Sequence, residues 1–425
     1  MEQLGAEVEI EVPCAEGTTH PVRLRFTGWI EFEVAYNPCE ELLGPVFARM
    51  AGCTHYLHEQ FPDDLRHDRV LKIQIIDAMR RVGNPAIPVL LQALTDDDTK
   101  VRRAACEALG VIRDPTTVPS LIRLLADSNS DVRAAAATAL GRIGKVAIPA
   151  LLQALESDRV RIRAAACRAL GETREPTTIR YINQLLYDRS DEVRIAACDA
   201  LGRMQDTQAV PFLAHLMQDD TREVRAAASR ALGKIGTSQA VPYLLQALQD
   251  DAGEVRSASC EALGNIGDSQ AVPHLIQALR DNDESVREAA CRALGRIGNP
   301  QAVPQLIQAL GDYDLSVREA ACRALGYIGD PQAVPHLVQS LADTDWRVVK
   351  AACEALGKIG DAQAVPHLVQ SLSSIFSSVQ AAACRALGRI GDSQALPHLV
   401  VALQTRQWWV RVAACRALGQ IGDPQ

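Results

Sequence analysis

Apolar residues recur along most of the chain at positions 1, 4, 5, 8, 9 and 12 of a segment that restarts about every 31 residues. The segments begin at Val70, Val101, Val132, Ile162, Val193, Val224, Val255, Val286, Val317, Val348, Val379 and Val410. That spacing lies on one helical face. Copies such as Val286-Arg-Glu-Ala-Ala-Cys-Arg-Ala-Leu-Gly-Arg-Ile297 are therefore predicted to be amphipathic helices of about three to four turns. A second segment separates them, as in Ala271-Val-Pro-His-Leu-Ile-Gln-Ala-Leu279. Its proline recurs at 88, 119, 149, 211, 242, 273, 304, 335, 366 and 397, with Arg180 standing in once, where the first turn of a helix tolerates it. The Ile-Gly-Asp that often precedes this segment supplies a helix-ending glycine and a turn.

Each repeat is thus a pair of antiparallel helices that cannot bury its apolar face alone, so neighbours must stack. The predicted fold class is all-α: a right-handed α-solenoid of about twelve ~31-residue helical hairpins, with one convex and one concave layer. The period and the residues differ from the tetratricopeptide and ankyrin patterns, which repeat at about 34 and 33 residues. Residues 1–38 do not fit the repeat. Val8, Ile10 and Val12 alternate with glutamates, as do Ile30, Phe32, Val34 and Tyr36, while Val22, Leu24 and Phe26 alternate with Arg23 and Arg25. This pattern predicts a small β-rich appendage capping the first repeat, with Arg23 and Arg25 across a hairpin from Glu31 and Glu33. Residues 39–425 form the solenoid, its atypical first repeat opening with a helix over Glu40 to Glu59. The last segment stops at Gly422-Asp-Pro-Gln425 without a polar capping helix, as expected of a longer or shortened chain or of an end covered by another chain.

The repeating unit VRxAACxALGxIGDxxAVPxLxxAL resembles the short HEAT-like repeat of the phycobilisome (phycocyanobilin) lyase family, over roughly residues 60–425. The resemblance implies the solenoid. It also implies a set of activities, since similar repeats occur in bilin lyase subunits, chaperones of cofactor-bearing proteins, iron–sulfur assembly partners and scaffolds. Attachment, isomerisation or removal of a linear tetrapyrrole on a phycobiliprotein cysteine, often by paired subunits, is the enzymatic alternative. No catalytic residue set carries over. The deoxyhypusine hydroxylases, also HEAT-like, hold iron with several His-Glu pairs, whereas this chain has only His58-Glu59.

Composition sharpens the picture. Aromatic residues are 4% of a chain that is 48% hydrophobic and 23% charged, which suits closely packed, alanine-rich helices and excludes a disordered chain. The N-terminus lacks a basic and apolar leader, and no stretch of about 18 uncharged apolar residues is apparent, so a cytoplasmic protein without membrane insertion is expected. Nine of the twelve cysteines, Cys106, Cys167, Cys198, Cys260, Cys291, Cys322, Cys353, Cys384 and Cys415, sit at helix position 6, where Ala137 and Ser229 stand in twice. Helices packed about 8–10 Å apart cannot share a disulfide or zinc between rungs, so these cysteines read as packing. Cys14, Cys39 and Cys53 lack metal or redox spacing. The arginine at position 2, from Arg102 to Arg318 and again at Arg411, is expected to form a repeat-to-repeat ladder with turn aspartates, broken at Val349 and Gln380. His274, His336, His367 and His398 lie one per repeat, too far apart to share a metal. No phosphate loop, dinucleotide fingerprint, HExxH or GxSxG triad is present. The sequence points to no catalytic residue set, metal or cofactor, and the tetrapyrrole alternative alone adds a bilin.

Two features exceed packing. Positions 7 and 11 of the long helix form a solvent-facing strip. Position 7 holds Arg168, Arg230, Arg292, Arg323, Arg385 and Arg416 against Glu107, Asp199, Glu261 and Glu354. Position 11 holds Arg142, Arg203, Lys234, Arg296, Lys358 and Arg389 against Glu172. In a chain of net charge −8 this predicts a basic concave groove, rimmed by acidic turns such as Asp96-Asp-Asp98, that receives an acidic protein face. Nucleic acid is disfavoured, because stacking aromatics do not line the strip. The turns between helices, polar in most repeats, hold Tyr313, Trp346, Ile375, Phe376, Trp408 and Trp409 near the C-terminus, predicting an apolar ridge for a partner. The functional expectation is a non-catalytic scaffold, adaptor or chaperone-like protein. Its oligomeric state is left open.

Overall fold

The computed structural model describes residues 7–13, 19–26, 32–36 and 69–422. From residue 69 onward the chain is helix and turn throughout, with twelve long helices and eleven short ones among the described residues. Packing divides the chain at Met204 and Gln205 into two compact units. In the first, long helices span Arg69–Val82, Thr99–Ile112, Ser130–Ile143, Val160–Thr173 and Asp191–Met204. In the second they run from Arg222–Ile235 to Trp408–Gly422. Within each unit every long helix packs on the next, with the short helix of its repeat laid against it.

Local chemistry sets each boundary. The long helix Glu284–Ile297 starts after Asp283, whose carboxylate accepts from the Ser285 amide at 2.9 Å, and ends where Gly298 turns left-handed at φ 73° and donates back to Leu294. The short helix Val303–Ala309 is entered through a 3₁₀ turn, Pro300–Ala302, capped by Asn299. In the first unit, Arg113 and Arg174 occupy the left-handed position at φ 60° and 51°.

Close approach explains the scarcity of aromatics. A Cβ built on Gly295 would meet the Ala324 Cα at 2.8 Å, and on Gly357 the Ala386 Cα at 2.6 Å. Glycine at position 10 and alanine at position 8 of the next long helix thus bring the helices together along a seam with no room for bulk. Valine, leucine and cysteine fill the rest of the core: Val317, Cys322 and Leu325 are fully buried.

The structure corrects the expected fold class in one respect. Among residues 69–422 there is no strand, and a β-rich appendage is not supported as a layer of the fold. The backbone of Glu7–Pro13, Thr19–Phe26 and Phe32–Tyr36 pairs antiparallel in chain order, with a register irregularity after Arg23 that sets Arg25 opposite Glu33 but Arg23 opposite Tyr36. Alternation of apolar and charged residues reports a local backbone preference; it does not build a packed layer or a cap, which requires a buried face. The 38/39 boundary, the helix over Glu40 to Glu59, Glu31, Cys14, Cys39, Cys53 and His58-Glu59 lie outside the described residues. By length and composition alone Ser130–Leu155 is apolar enough to span a bilayer, but it carries Asp131, Arg133, Arg142 and Lys145. Its continuity is broken at Gly144, φ 82°, into a long and a short helix of the repeat.

Candidate functional site

The cysteine ladder is structural. Cys106, Cys167, Cys198, Cys260, Cys291, Cys322, Cys353 and Cys384 are buried free thiols, while Cys415 is exposed. Burial pushes the Cys106, Cys167, Cys260, Cys322 and Cys353 thiols up to about 12, far from the thiolate that chemistry would use. Where Ser229 replaces cysteine, its hydroxyl is satisfied by the Arg225 carbonyl and by Ser259. Among the described residues no cluster could hold a metal.

The arginine ladder is present and bidentate. Arg102 grips Asp127 at 2.9 and 3.0 Å, and Arg163 grips Asp188 at 2.9 and 2.8 Å, in the first unit. In the second, Arg225, Arg256, Arg287 and Arg318 take Asp250, Asp281, Asp312 and Asp343, each with a contact at 2.7 Å. Each guanidinium also donates to two carbonyls of its own turn, as Arg318 does to Asp312 and Tyr313. Each aspartate also accepts a backbone amide two residues on, as Asp343 does from Asp345. One side chain therefore locks two successive turns. Burial opposes ionisation of Asp127, Asp188, Asp250, Asp281 and Asp343, yet the guanidinium and amide donors outweigh it and hold these carboxyls below the usual range.

The ladder ends between Trp346 and Phe376. Val349 stands where the arginine would be and Ser374 where its aspartate would be, so both halves of one rung are lost together. In the next repeat Gln380 reaches only the Ser374 carbonyl, at 2.8 Å. Arg133 is another departure, holding the Asp127 and Ser128 carbonyls while Ser157 occupies the aspartate position.

The predicted basic strip is more neutral than its two positions suggest. Arg292 and Arg323 bond Glu288 and Glu319, one turn back, at 2.5 Å. Arg230 and Arg385 lie 3.7 Å from Glu254 and Glu354, and Arg203 pairs with Glu172. Lys358 sits over the Tyr327 ring at 3.5 Å and Arg296 donates to Asn265 at 2.7 Å. Arg142 and Arg389, both exposed, have no carboxylate partner among the described residues. Arg168, Lys234 and Arg416 occupy the same strip, with Lys234 and Arg416 exposed. Position 3 of the helix, which carries Glu288 and Glu319, was the signal that the two-position count omits.

The aromatic residues of the turns meet different neighbours. Trp346 and Phe376 stack across consecutive turns, ring centres 6.2 Å apart and 29° between planes. Ile375 beside them is 91% exposed. Tyr313, 78% exposed, lies against the Arg287 guanidinium at 4.5 Å, which gives it a share in the ladder. Trp408 and Trp409 meet each other edge to face at 5.9 Å. Val400 and Val401, on the last short helix, are exposed as well, and Val401 stands where most earlier repeats carry glutamine. That replacement, like Ser374, is visible only when the repeats are compared position by position.

HEAT repeats match residues 65–141, 87–171, 118–189, 180–263, 241–314, 303–376 and 371–425. The chain belongs to the HEAT-repeat family. No curated protein matches it. Among solved structures it is similar to Kap95p, in a structure describing its binding to RanGDP, at 16% identity over 85% of this chain and 59% of that one, with a TM-score of 0.54. It is also similar to importin beta, at 17% identity over 90% and 62%, with a TM-score of 0.52. The chain spans about three fifths of the length of these two, and likeness at this identity shows the fold alone. The complex of CpcE and CpcF of phycocyanin lyase, from a Nostoc species, matches at 26% identity over 58% of this chain and 94% of that one, with a TM-score of 0.36, too loose to carry an argument about activity. The resemblance to lyase repeats therefore resolves to the broader HEAT family.

Proposed function

We propose that the chain is a protein-binding scaffold that holds an acidic partner on the basic strip of its long helices and an apolar portion of that partner on its C-terminal turns. The observation that carries this reading is the change of character along the turns. In the second unit, acidic turns such as Asp281-Asn-Asp283 give way to Ser374-Ile-Phe376, where a stacked aromatic pair stands beside a side chain almost wholly in solvent. Clustered exposed aromatics of this kind supply the anchor residues of protein interfaces. HEAT-repeat architecture, shared with Kap95p and importin beta, is compatible with that role. The strip contributes a screened attraction from Arg142, Arg389 and the other exposed cations, which steers association more than it tightens it.

The test is quantitative capture of partner proteins from the source lysate at low and high salt. Charge reversal at Arg142, Arg292, Arg296 and Arg389 should lower capture mainly at low salt, by about tenfold. Trp408→Ala with Phe376→Ala should lower it at both salts with helicity unchanged. Equal capture by wild type and both variants would discard the reading. Absorption spectra of the eluate discriminate the tetrapyrrole alternative, which requires a coloured partner.

A further inference from the structure

In the second unit, each long helix from Arg222–Ile235 to Leu315–Ile328 is tied to the next by a rung of the ladder, the last being Arg318 to Asp343. The two joints that follow, on either side of Ser377–Ile390, have none. Val349 and Ser374 occupy the rung positions at the first, Gln380 and Thr405 at the second. In both, what survives of the pattern is local and the part that crosses between repeats is gone. Ser374 still accepts from the Phe376 amide at 3.2 Å, as Asp343 does from Asp345. Gln380 still donates to the Ser374 carbonyl, as Arg318 does to Asp312. Each turn therefore keeps its shape while its tie to the next turn is lost. The Thr405 hydroxyl, where an aspartate would stand, is buried without a hydrogen-bond partner among the described residues, which weakens that joint further.

What holds the two joints instead is close packing. Gly357 is met by the Ala386 Cα and Gly388 by the Ala417 Cα, at 2.6 and 2.7 Å from where a Cβ would sit. Trp346 stacks on Phe376 across the first joint, and Arg385 lies 3.7 Å from Glu354 with both side chains partly exposed. Dispersion and ring stacking tolerate sliding, and a solvated ion pair adds little. A bidentate guanidinium fixes both distance and orientation. The first unit offers the contrast. Its rung missing at Arg133 and Ser157 lies between the intact Arg102–Asp127 and Arg163–Asp188, so each neighbour there is held from its other side. Ser377–Ile390 has a rung on neither side.

We infer that the second unit carries a release joint between Trp346–Ile359 and Ser377–Ile390. The repeats before it form a clamped body, and the segment from Ser374 onward opens from that body as a part of lower stability. Ile375, Phe376, Trp408 and Trp409 all stand on the part that opens, whereas Trp346 stands on the clamped body. Opening requires no partner.

The test is amide hydrogen exchange of the full chain, read helix by helix by mass spectrometry under conditions where rates report opening equilibria. Protection in the wild type should be similar over Glu284–Ile297, Leu315–Ile328 and Trp346–Ile359, then drop in one step of at least about tenfold at Ser377–Ile390. Val349→Arg with Ser374→Asp rebuilds the first missing rung. It should raise protection of Ser377–Ile390 at least about tenfold and move the step to Trp408–Gly422. Arg318→Val with Asp343→Ser copies the natural loss one repeat earlier. It should move the step the other way, so that Trp346–Ile359 loses protection by a similar factor. This second variant decides the matter alone should the first fail to fold. A smooth decline toward the last helix, or a step that a folded variant leaves in place, is ordinary end fraying and would overturn the inference.

Discussion

Arg174 holds a backbone conformation, φ 51° and ψ 26°, that six later repeats assign to glycine. A side chain there costs about 1 kcal/mol through crowding of its Cβ against the following carbonyl. Glycine recovers most of that, less the extra freedom it gives the unfolded chain. Arg174→Gly should therefore stabilise the protein by about 0.5–1 kcal/mol, seen as a higher urea midpoint with an unchanged slope. The position was legible in the sequence, because Arg113, Arg174 and Gln205 fall in the register of the glycines at 236 and beyond. Other single residues were not. The role of Ser374 follows only from the Asp343 geometry one repeat earlier; Glu288 and Glu319 stand four residues before Arg292 and Arg323 in the sequence, and the structure adds that these side chains meet. Periodicity places a side chain on a face; it does not say which neighbour claims it.

Between elements, the decisive contact is the seam of glycine against alanine. Alanine at Gly326 would set its Cβ 2.7 Å from the Ala355 Cα and 2.8 Å from its Cβ, neither of which can swing aside. Overpacking of this kind costs about 1–3 kcal/mol, against a gain of up to about 1 kcal/mol in helix propensity, so the clash wins. Gly326→Ala should lower stability by about 1–2 kcal/mol in urea unfolding. Gly419→Ala, which meets nothing within 4 Å, should be neutral or gain up to about 1 kcal/mol in the same measurement. Equal effects at the two sites would remove close packing as the reason for the glycines. The helix pairs themselves were readable from their 31-residue period, their prolines and their glycines. The β-rich appendage was over-read, since alternation at Val8, Ile10 and Val12 says nothing of what a strand would pack against. Adjacency of turns brings Trp346 to Phe376, while Tyr313 lies against Arg287 and Trp408 against Trp409.

Across the whole molecule, the ladder makes stability depend on acid. The folded state holds Asp127, Asp188, Asp250, Asp281 and Asp343 below the usual carboxyl value of 3.8, so the unfolded chain binds protons first as pH falls. Their contribution is complete above that value and is lost as pH drops through the lower folded values. Melting temperature should be flat in this respect from about pH 7 to 5 and fall steeply below about pH 4, with several rungs failing in the same window. A loss centred near pH 6 would point to histidine instead. Because every rung and seam joins only successive repeats, the array also has no preferred length. Removal of residues 284–314 would join Asp283 to Leu315, giving that helix the same kind of aspartate cap it has in Asp314 and setting Gly264 against Ala324 in place of Ala293. A gene coding for such a chain can lose or copy one unit in frame without creating a contact the fold has not already tried, so relatives are expected to differ in size by whole repeats while the turns that carry Trp346 and Phe376 stay intact.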